Sequence, residues 1–137
     1  MHIKVPFLAI LIISVAQLTV YGIQNNNYSK KDFDEVVNVE QDDISEIQIR
    51  DLAGIEHKTD NPEQIKEIID YFDQFQYQRL RNDQTSFMPM KTMMINMEDS
   101  HQSDFIIPYD QEVLISHKVY RVKNGTIDQD MLLKMID

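Results

Sequence analysis

Five methionines within ten residues form the densest group of side chains with potential chemistry in this sequence: Met88, Met90, Met93, Met94 and Met97. Thioether sulfurs are soft ligands that favour Cu(I), so this stretch is a candidate metal site. The same stretch predicts a strand from Met90 to Met97, and side chains alternate between the two faces of a strand. Alternation separates Met90 and Met94 from Met93 and Met97. We therefore expect adaptable core packing here rather than a copper site.

The histidines do not form a recognisable metal-binding or catalytic set. His57, His101 and His117 lie far apart along the chain, each in or near an expected turn, which favours exposed side chains over zinc ligands. The chain has no HExxH, GxSxG or SxxK motif, no Gly-rich phosphate loop and no cysteine. We therefore expect no catalytic, cofactor-binding or metal-binding residues, and no enzymatic activity.

The chain is strongly acidic after its first segment. All 23 Asp and Glu residues lie at or after Asp32, against 10 Lys and Arg in the same part, a net charge of −13. This balance disfavours nucleic acid, which needs a basic footprint. Like-charge repulsion also disfavours direct docking on anionic lipid. A solubilising surface is the simpler interpretation, and a cationic ligand or multivalent cation is the functional alternative.

An acidic run precedes the expected domain: Asp32, Asp34, Glu35, Glu40, Asp42 and Asp43. The run lacks the glycine and the ligand spacing of an EF-hand loop, so a solvated segment is favoured over a calcium site. We interpret residues 23–43 as a polar, acidic tether, in which residues 34–40 form at most a turn or two of helix. The tether would join an N-terminal segment to a folded domain.

The first 22 residues indicate export. Residues 5–22 contain no charge, Lys4 precedes them, and a helix of this length covers about 27 Å, close to the hydrocarbon thickness of a bilayer. Positive charge stays on the cytoplasmic side, so the rest of the chain should lie outside. Two outcomes stay open: a cleaved signal peptide with secretion, or a retained single-pass anchor in the cell membrane with the C-terminus outside.

The clearest predicted element is a helix from Pro62 to about Phe75. Asn61 can cap it, Pro62 suits the first helical position, and Gln64 can complete a capping box. Apolar residues then recur at spacings of three and four: Ile65, Ile68, Ile69, Phe72 and Phe75. This spacing predicts one buried helical face.

Alternating patterns and turn residues predict strands on both sides of this helix. They form a hairpin over 45–50 and 55–59, and extended segments over 76–81, 90–97, 104–107, 112–116 and 118–122. Residues 82–89 predict a loop, and Thr126 or Asp128 caps a short helix that ends near Ile136. We therefore expect one globular domain over residues 44–137. Its class is α+β: an antiparallel sheet of about five to seven strands, with the long helix on one face and a short C-terminal helix.

Four segments carry a family resemblance: SEIQIRDLAG, NPEQIKEIIDYF, MMINMED and VYRV. Behind a signal segment, they resemble a small uncharacterised domain of envelope proteins in Gram-positive bacteria, over residues 44–137. The resemblance implies a fold and a location, and it implies no activity and no site residues.

Together these features predict an exported or membrane-anchored, non-enzymatic accessory or interaction domain of the bacterial cell envelope. An uncovered sheet face or edge would be its docking surface for an envelope protein partner. If the first segment is not cleaved, the membrane itself is a second partner. The alternative is an extracytoplasmic ligand-binding or metal-binding module that uses the Met-rich strand, with copper as the metal.

Overall fold

The computed structural model describes residues 28–82 and 92–137. Within them the strands are β1 (Lys30–Lys31), β2 (Glu46–Arg50), β3 (Glu56–Thr59), β4 (Gln76–Arg79), β5 (Met94–Glu98), β6 (Ser103–Tyr109), β7 (Glu112–Ile115) and β8 (Lys118–Lys123). The helices are α1 (Phe33–Val36), α2 (Pro62–Asp73) and α3 (Gln129–Ile136), and a 3₁₀ turn covers Gln41–Asp43.

The strands form one open antiparallel sheet in the order β1-β4-β8-β7-β6-β5-β2-β3. The expected mixture of helices with an antiparallel sheet is confirmed. The expected number of five to seven strands is wrong, because the described residues contain eight. The strand that we did not predict is β1, in which Lys30 pairs with Gln78 and Lys31 with Tyr77 of β4.

Period-two burial separates a core face of the sheet from an open face. Ile47 and Ile49 of β2 are fully buried, and so are their partners Met97 and Ile95 on β5. The helices cover this core face, since one hydrophobic cluster joins these strand residues to residues of α2 and α3. Side chains of opposite parity lie on the second face, which we call the open face. Phe105 of β6 is half-exposed there, although Ile107 and Val119 on the same face are buried.

Helix α2 begins as the sequence predicts. The Asn61 side chain accepts a hydrogen bond from the Glu63 N–H at 2.9 Å, and Pro62 is the first helical residue. Its buried residues are Ile65, Ile68, Ile69, Tyr71 and Phe72. The predicted capping box is wrong, because Gln64 accepts a hydrogen bond from the Thr59 hydroxyl and its amide donates to the Ile136 carbonyl at 3.5 Å. Gln64 therefore ties α2 to β3 and α3.

The N-terminal boundary of the domain lies before Ile44. Phe33 of α1 is fully buried, and its ring centroid lies 5.0 Å from that of Phe72 and 5.7 Å from that of Tyr77. Val36 and Val39 are buried as well. Residues 28–43 are therefore packed on the domain, and the expectation that they form a polar tether is corrected. The rest of the expected tether, residues 23–27, lies outside the described residues.

A buried carboxylate attaches this N-terminal segment to the sheet. Asp104 on β6 is fully buried and accepts four hydrogen bonds. Its Oδ2 accepts from the backbone N–H groups of Asn38 at 2.7 Å and Val39 at 2.9 Å. Its Oδ1 accepts from Asn38 Nδ2 at 3.1 Å and from the Ser116 hydroxyl at 2.5 Å. A buried charge needs such partners, so Asp104 stabilises the fold only while this segment covers it.

The first segment, over residues 1–22, and most of the predicted loop over residues 82–89 lie outside the described residues. In the part of the chain that is described, no helix combines the length and the apolar character that crossing a membrane would require.

We expect Asp104→Ala to lower the free energy of unfolding by about 3 kcal/mol, because buried N–H and hydroxyl donors lose their acceptor. Chemical denaturation followed by circular dichroism measures this change. The matched control is Asp60→Ala, the same substitution at an exposed position, which should change stability by less than about 0.5 kcal/mol. Equal losses in the two variants would show that Asp104 contributes no more than a surface residue.

Candidate functional site

The methionines of the predicted strand separate as alternation requires. Met93 and Met97 are buried in the hydrophobic core, at 1% and 0% exposure. Met94 points to the opposite face, where Arg50 Nη2 lies 3.9 Å from its sulfur. Met88 and Met90 lie outside the described residues. Within the described part, the thioethers of Met93 and Met97 pack the core.

The histidines differ from one another in environment. His117 lies in the turn between β7 and β8 with φ of 72°, and His101 lies in the turn between β5 and β6. His57 is on β3, and both of its ring nitrogens contact carboxylates: Nδ1 lies 2.7 Å from Asp137 Oδ1, and Nε2 lies 3.0 Å from Asp51 Oδ2. The expectation of an exposed turn residue is therefore wrong for His57, which joins the β2–β3 turn to the residue after α3.

This carboxylate–histidine–carboxylate bridge changes the ionisation of its members. The hydrogen bonds to Asp51 and Asp137 raise the pKa of His57. The hydrogen bond from His57, with that from the Ile55 N–H, lowers the pKa of Asp51. Because both ring nitrogens are engaged by carboxylates, neither is placed to take a proton from a hydroxyl nucleophile. The bridge fits a structural clip better than a catalytic base.

Acidic side chains gather on the helix side of the molecule. The carboxylate oxygens of Asp32, Asp34 and Glu35 lie within 4.8 Å of one another, all on exposed residues. Part of this cluster serves helix α1, because Glu35 Oε1 accepts from the Asp32 N–H at 3.0 Å. Burial raises the pKa of Asp73 at the end of α2, and the nearby charges of Asp34 and Asp70 raise it further. These groups make the helix side negative.

A shallow groove of about 290 Å³ lies beside these acids, between α2 and the 3₁₀ turn. Its floor is apolar, formed by Ile44, Ile65 and Ile69. Its rim includes Asp73, whose carboxylate accepts from Gln41 Nε2 at 3.0 Å, and Asp70, which pairs with Lys66 at 2.7 Å. These four rim groups pair with one another, which argues for local structure rather than for a ligand; Asp42 also lines the groove.

Basic side chains are concentrated at one end of the sheet. β1, β4 and β8 are neighbours, and their twelve residues include six Lys and Arg but no Asp or Glu. These cations are Lys30, Lys31, Arg79, Lys118, Arg121 and Lys123, and Arg81 follows β4. The whole chain has 23 acidic and 13 basic residues. Alternation divides these cations: Lys30, Arg121 and Lys123 share the open face, whereas Lys31, Arg79 and Lys118 pair with the buried Tyr77, Tyr120 and Ile115 of the core face. Asp32 directly follows Lys31, so the excess of positive charge is confined to the strands themselves.

A cleft of about 450 Å³ lies within this basic end, and we call it the basic cleft. It is lined by Tyr28, Gln78, Arg79, Leu80, Arg81, Arg121 and Lys123. Gln78 and Arg121 are paired across β4 and β8, and Lys30 of β1 pairs with Gln78 from the other side. Arg121 and Lys123 alternate with the buried Val122, so both point to the open face of the sheet. The lining contains four cationic residues and no carboxylate.

Two contacts fix the edge of the basic cleft. Gln78 Nε2 donates to the Tyr28 carbonyl at 3.1 Å, and the Arg81 guanidinium lies 4.5 Å from the centroid of the Tyr28 ring, a cation–π contact. On the other side, Glu112 of β7 is paired with Arg121 and forms the border. Guanidinium forks and ammonium groups on rigid strands match the oxygens of phosphate or carboxylate groups. The arrangement can therefore hold an anion.

Sequence reasoning missed the basic cleft because its parts are distant in sequence. The net negative charge of the chain gave no indication of a local group of cations. The signal was present locally, in Lys30-Lys31, in Arg79-Leu80-Arg81 and in Lys118–Lys123, each free of acidic residues. Lys30, Arg121 and Lys123 from these segments come together on one face only when β8 and β1 pair on the two sides of β4.

Comparison with known proteins adds little. No protein-family model matches the chain, and no curated protein matches it. A solved structure, described as the NMR structure of the protein from Ruminococcus gnavus, matches with a TM-score of 0.48 and 17% sequence identity. The match covers 69% of this chain and 96% of that chain.

The His57 bridge predicts a pH-dependent contribution to stability. Because the folded-state pKa of His57 is raised, this contribution is fully present below pH 6.5, the ordinary value, and is lost as the pH rises through the raised pKa. We expect the difference in melting temperature between wild type and His57→Gln to be largest in mild acid and to shrink at alkaline pH. Asp137→Asn, which leaves one carboxylate on His57, should give an intermediate dependence. A difference that stays constant across pH would exclude the bridge.

Proposed function

We propose that this chain is an exported or membrane-anchored, non-enzymatic interaction domain of the bacterial cell envelope, which binds an anionic partner through the basic cleft. The observation that carries the proposal is the segregation of charge. Arg81, Arg121 and Lys123 line one cleft without an acidic neighbour in its lining, although the chain as a whole carries a net charge of −10. Random placement of cations on an acidic surface would instead intersperse the two signs.

Rigidity of the cleft supports binding. Arg79, Arg121 and Lys123 come from paired strands, so their backbones are held by ladder hydrogen bonds. Arg81 lies two residues after β4, next to Leu80, whose N–H donates to the Val119 carbonyl at 2.9 Å. The Tyr28 ring holds the Arg81 guanidinium in place. Side chains positioned in this way lose less conformational entropy when they bind an anion. An anion between the like-charged groups of the cleft would also reduce their mutual repulsion.

Two other parts of the proposal, the extracytoplasmic location of the domain and its non-enzymatic role, are supported by other observations. The uncharged segment over residues 5–22, behind Lys4, supports export. The resemblance of residues 44–137 to an envelope family supports the same location. A non-enzymatic role is supported by His57, whose two ring nitrogens already contact carboxylates.

Binding of inorganic polyphosphate, used as a probe anion, tests the proposal by isothermal titration calorimetry. Replacing both Arg121 and Lys123 with Gln should weaken binding about tenfold, which corresponds to about 1.4 kcal/mol. The dependence of affinity on salt should also become shallower, because fewer cations contact the anion.

The matched control replaces Arg50 and Lys58 with Gln. Both residues are exposed, and they occupy β2 and β3 at the other end of the same sheet. β2 lies four strand spacings from β8, about 19 Å away. This control removes the same charges and should leave the affinity within about twofold of wild type. Equal weakening by both double variants would show that only net charge matters and would contradict a site in the cleft.

A further inference from the structure

The place where the chain enters the domain coincides with the basic cleft. Tyr28, the first described residue, lines the cleft, and Lys30 is two residues further on. The predicted membrane segment ends at Gly22. The six residue steps from Gly22 to Tyr28 span at most about 21 Å. In a chain that keeps this segment as an anchor, the cleft is held close to the membrane surface.

We infer that the basic cleft docks on the phosphate-bearing headgroups of the anionic membrane in which the chain is anchored. This inference rests on the proposed function and names its partner as an anionic lipid surface. Docking would orient the domain with β1, β4 and β8 toward the bilayer. The helices, with the acidic side chains of Asp34, Asp70 and Asp73, would then face away from it.

The electrostatics of the two sides permit this orientation despite the net charge. Lys30 and Arg121 are exposed, and Arg81 and Lys123 line the cleft beside them, so these cations can reach headgroup phosphates together. The helices lie on the core face, so Asp70 and Asp73 of α2 are on the side of the sheet opposite to Arg121 and Lys123. Charges farther from the lipid than the Debye length, about 8 Å at physiological salt, repel it only weakly. Asp32, which directly follows β1, and Glu112, which pairs with Arg121, are acids that border the cations.

Tethering strengthens a weak contact of this kind. An anchor with a short connecting segment holds the cleft at a high effective concentration next to the headgroups, so that each individual contact can be weak. Arginine adds specificity for phosphate, since its planar fork can bind two oxygens of one group. Glu112 and Asp110 beside Arg121 limit the basic area and set the border of the contact.

The test uses the full chain inserted in nanodiscs of phosphatidylcholine alone, or of phosphatidylcholine and phosphatidylglycerol in equal parts. The chain has no cysteine, so Gln76→Cys places a single fluorophore on the basic end of the sheet, paired with Lys123. Glu67→Cys places the same fluorophore on the exposed surface of α2. Quenching by nitroxide-labelled lipid headgroups reports which position lies near the bilayer.

We expect quenching at position 76 to be several-fold stronger than at position 67 in the phosphatidylglycerol discs, and to fall to the phosphatidylcholine level at high salt. Replacing both Arg121 and Lys123 with Gln should abolish this difference. Replacing both Arg50 and Lys58 with Gln should preserve it. Equal quenching at the two positions, or a chain that does not associate with nanodiscs, would overturn the inference.

The calorimetric experiment with polyphosphate distinguishes failure of the lipid inference from failure of the proposed function. If phosphatidylglycerol has no effect but the chain still binds polyphosphate through Arg121 and Lys123, the cleft binds a soluble anion and the lipid inference is wrong. If polyphosphate binding is also independent of these two residues, the proposed function fails together with the inference.

Discussion

The buried carboxylate of Asp104 is the interaction on which the arrangement of the domain depends. Its four hydrogen bonds bring residues 38 and 39 onto β6, from a position more than sixty residues earlier in the chain. In the same N-terminal segment, over residues 28–43, Phe33 packs against Phe72 and β1 pairs with β4. That pairing places Tyr28 in the lining of the basic cleft and Lys30 beside Gln78. We therefore expect a structural contact on one side of the sheet to be needed for the basic cleft on the other.

The sequence predicts those elements whose signals are local and fails where the partners are distant. Helix α2 follows from Asn61, Pro62 and its apolar spacing, and β2 follows from the alternation around Ile47. Strand β1 could not be predicted in this way, because two lysines show no periodicity. The burial of Phe33 could not be predicted, because the surrounding residues 23–43 are mostly polar and their composition favours a tether. Asp104 carries no sign of burial in its own neighbourhood, since three of its four donors come from Asn38 and Val39, far upstream.

The charge distribution at the candidate site could not be predicted from the sequence for the same reason. Net charge is a property of composition, whereas recognition depends on where the charges lie. β4 and β8 are separated by about forty residues in sequence, and β1 and β4 by about as many, yet the three are neighbours in the sheet. Their pairing brings Lys30, Arg121 and Lys123 onto one face of the sheet, in a chain with an excess of acidic residues. The His57 bridge is a second example, since Asp51 is near it in sequence while Asp137 is brought to it by α3.

The central claim is that residues of β1, β4 and β8 act together as one anion-binding surface. A solution NMR titration of the ¹⁵N-labelled chain with glycerol phosphate tests this most directly, because it locates the contact without altering any residue. The account predicts that amide shifts cluster at residues 28–31, 76–81 and 118–123, and that residues of β2, β3 and α2 stay unchanged. Shifts spread over the whole surface, or concentrated at the acidic groove beside α2, would contradict it.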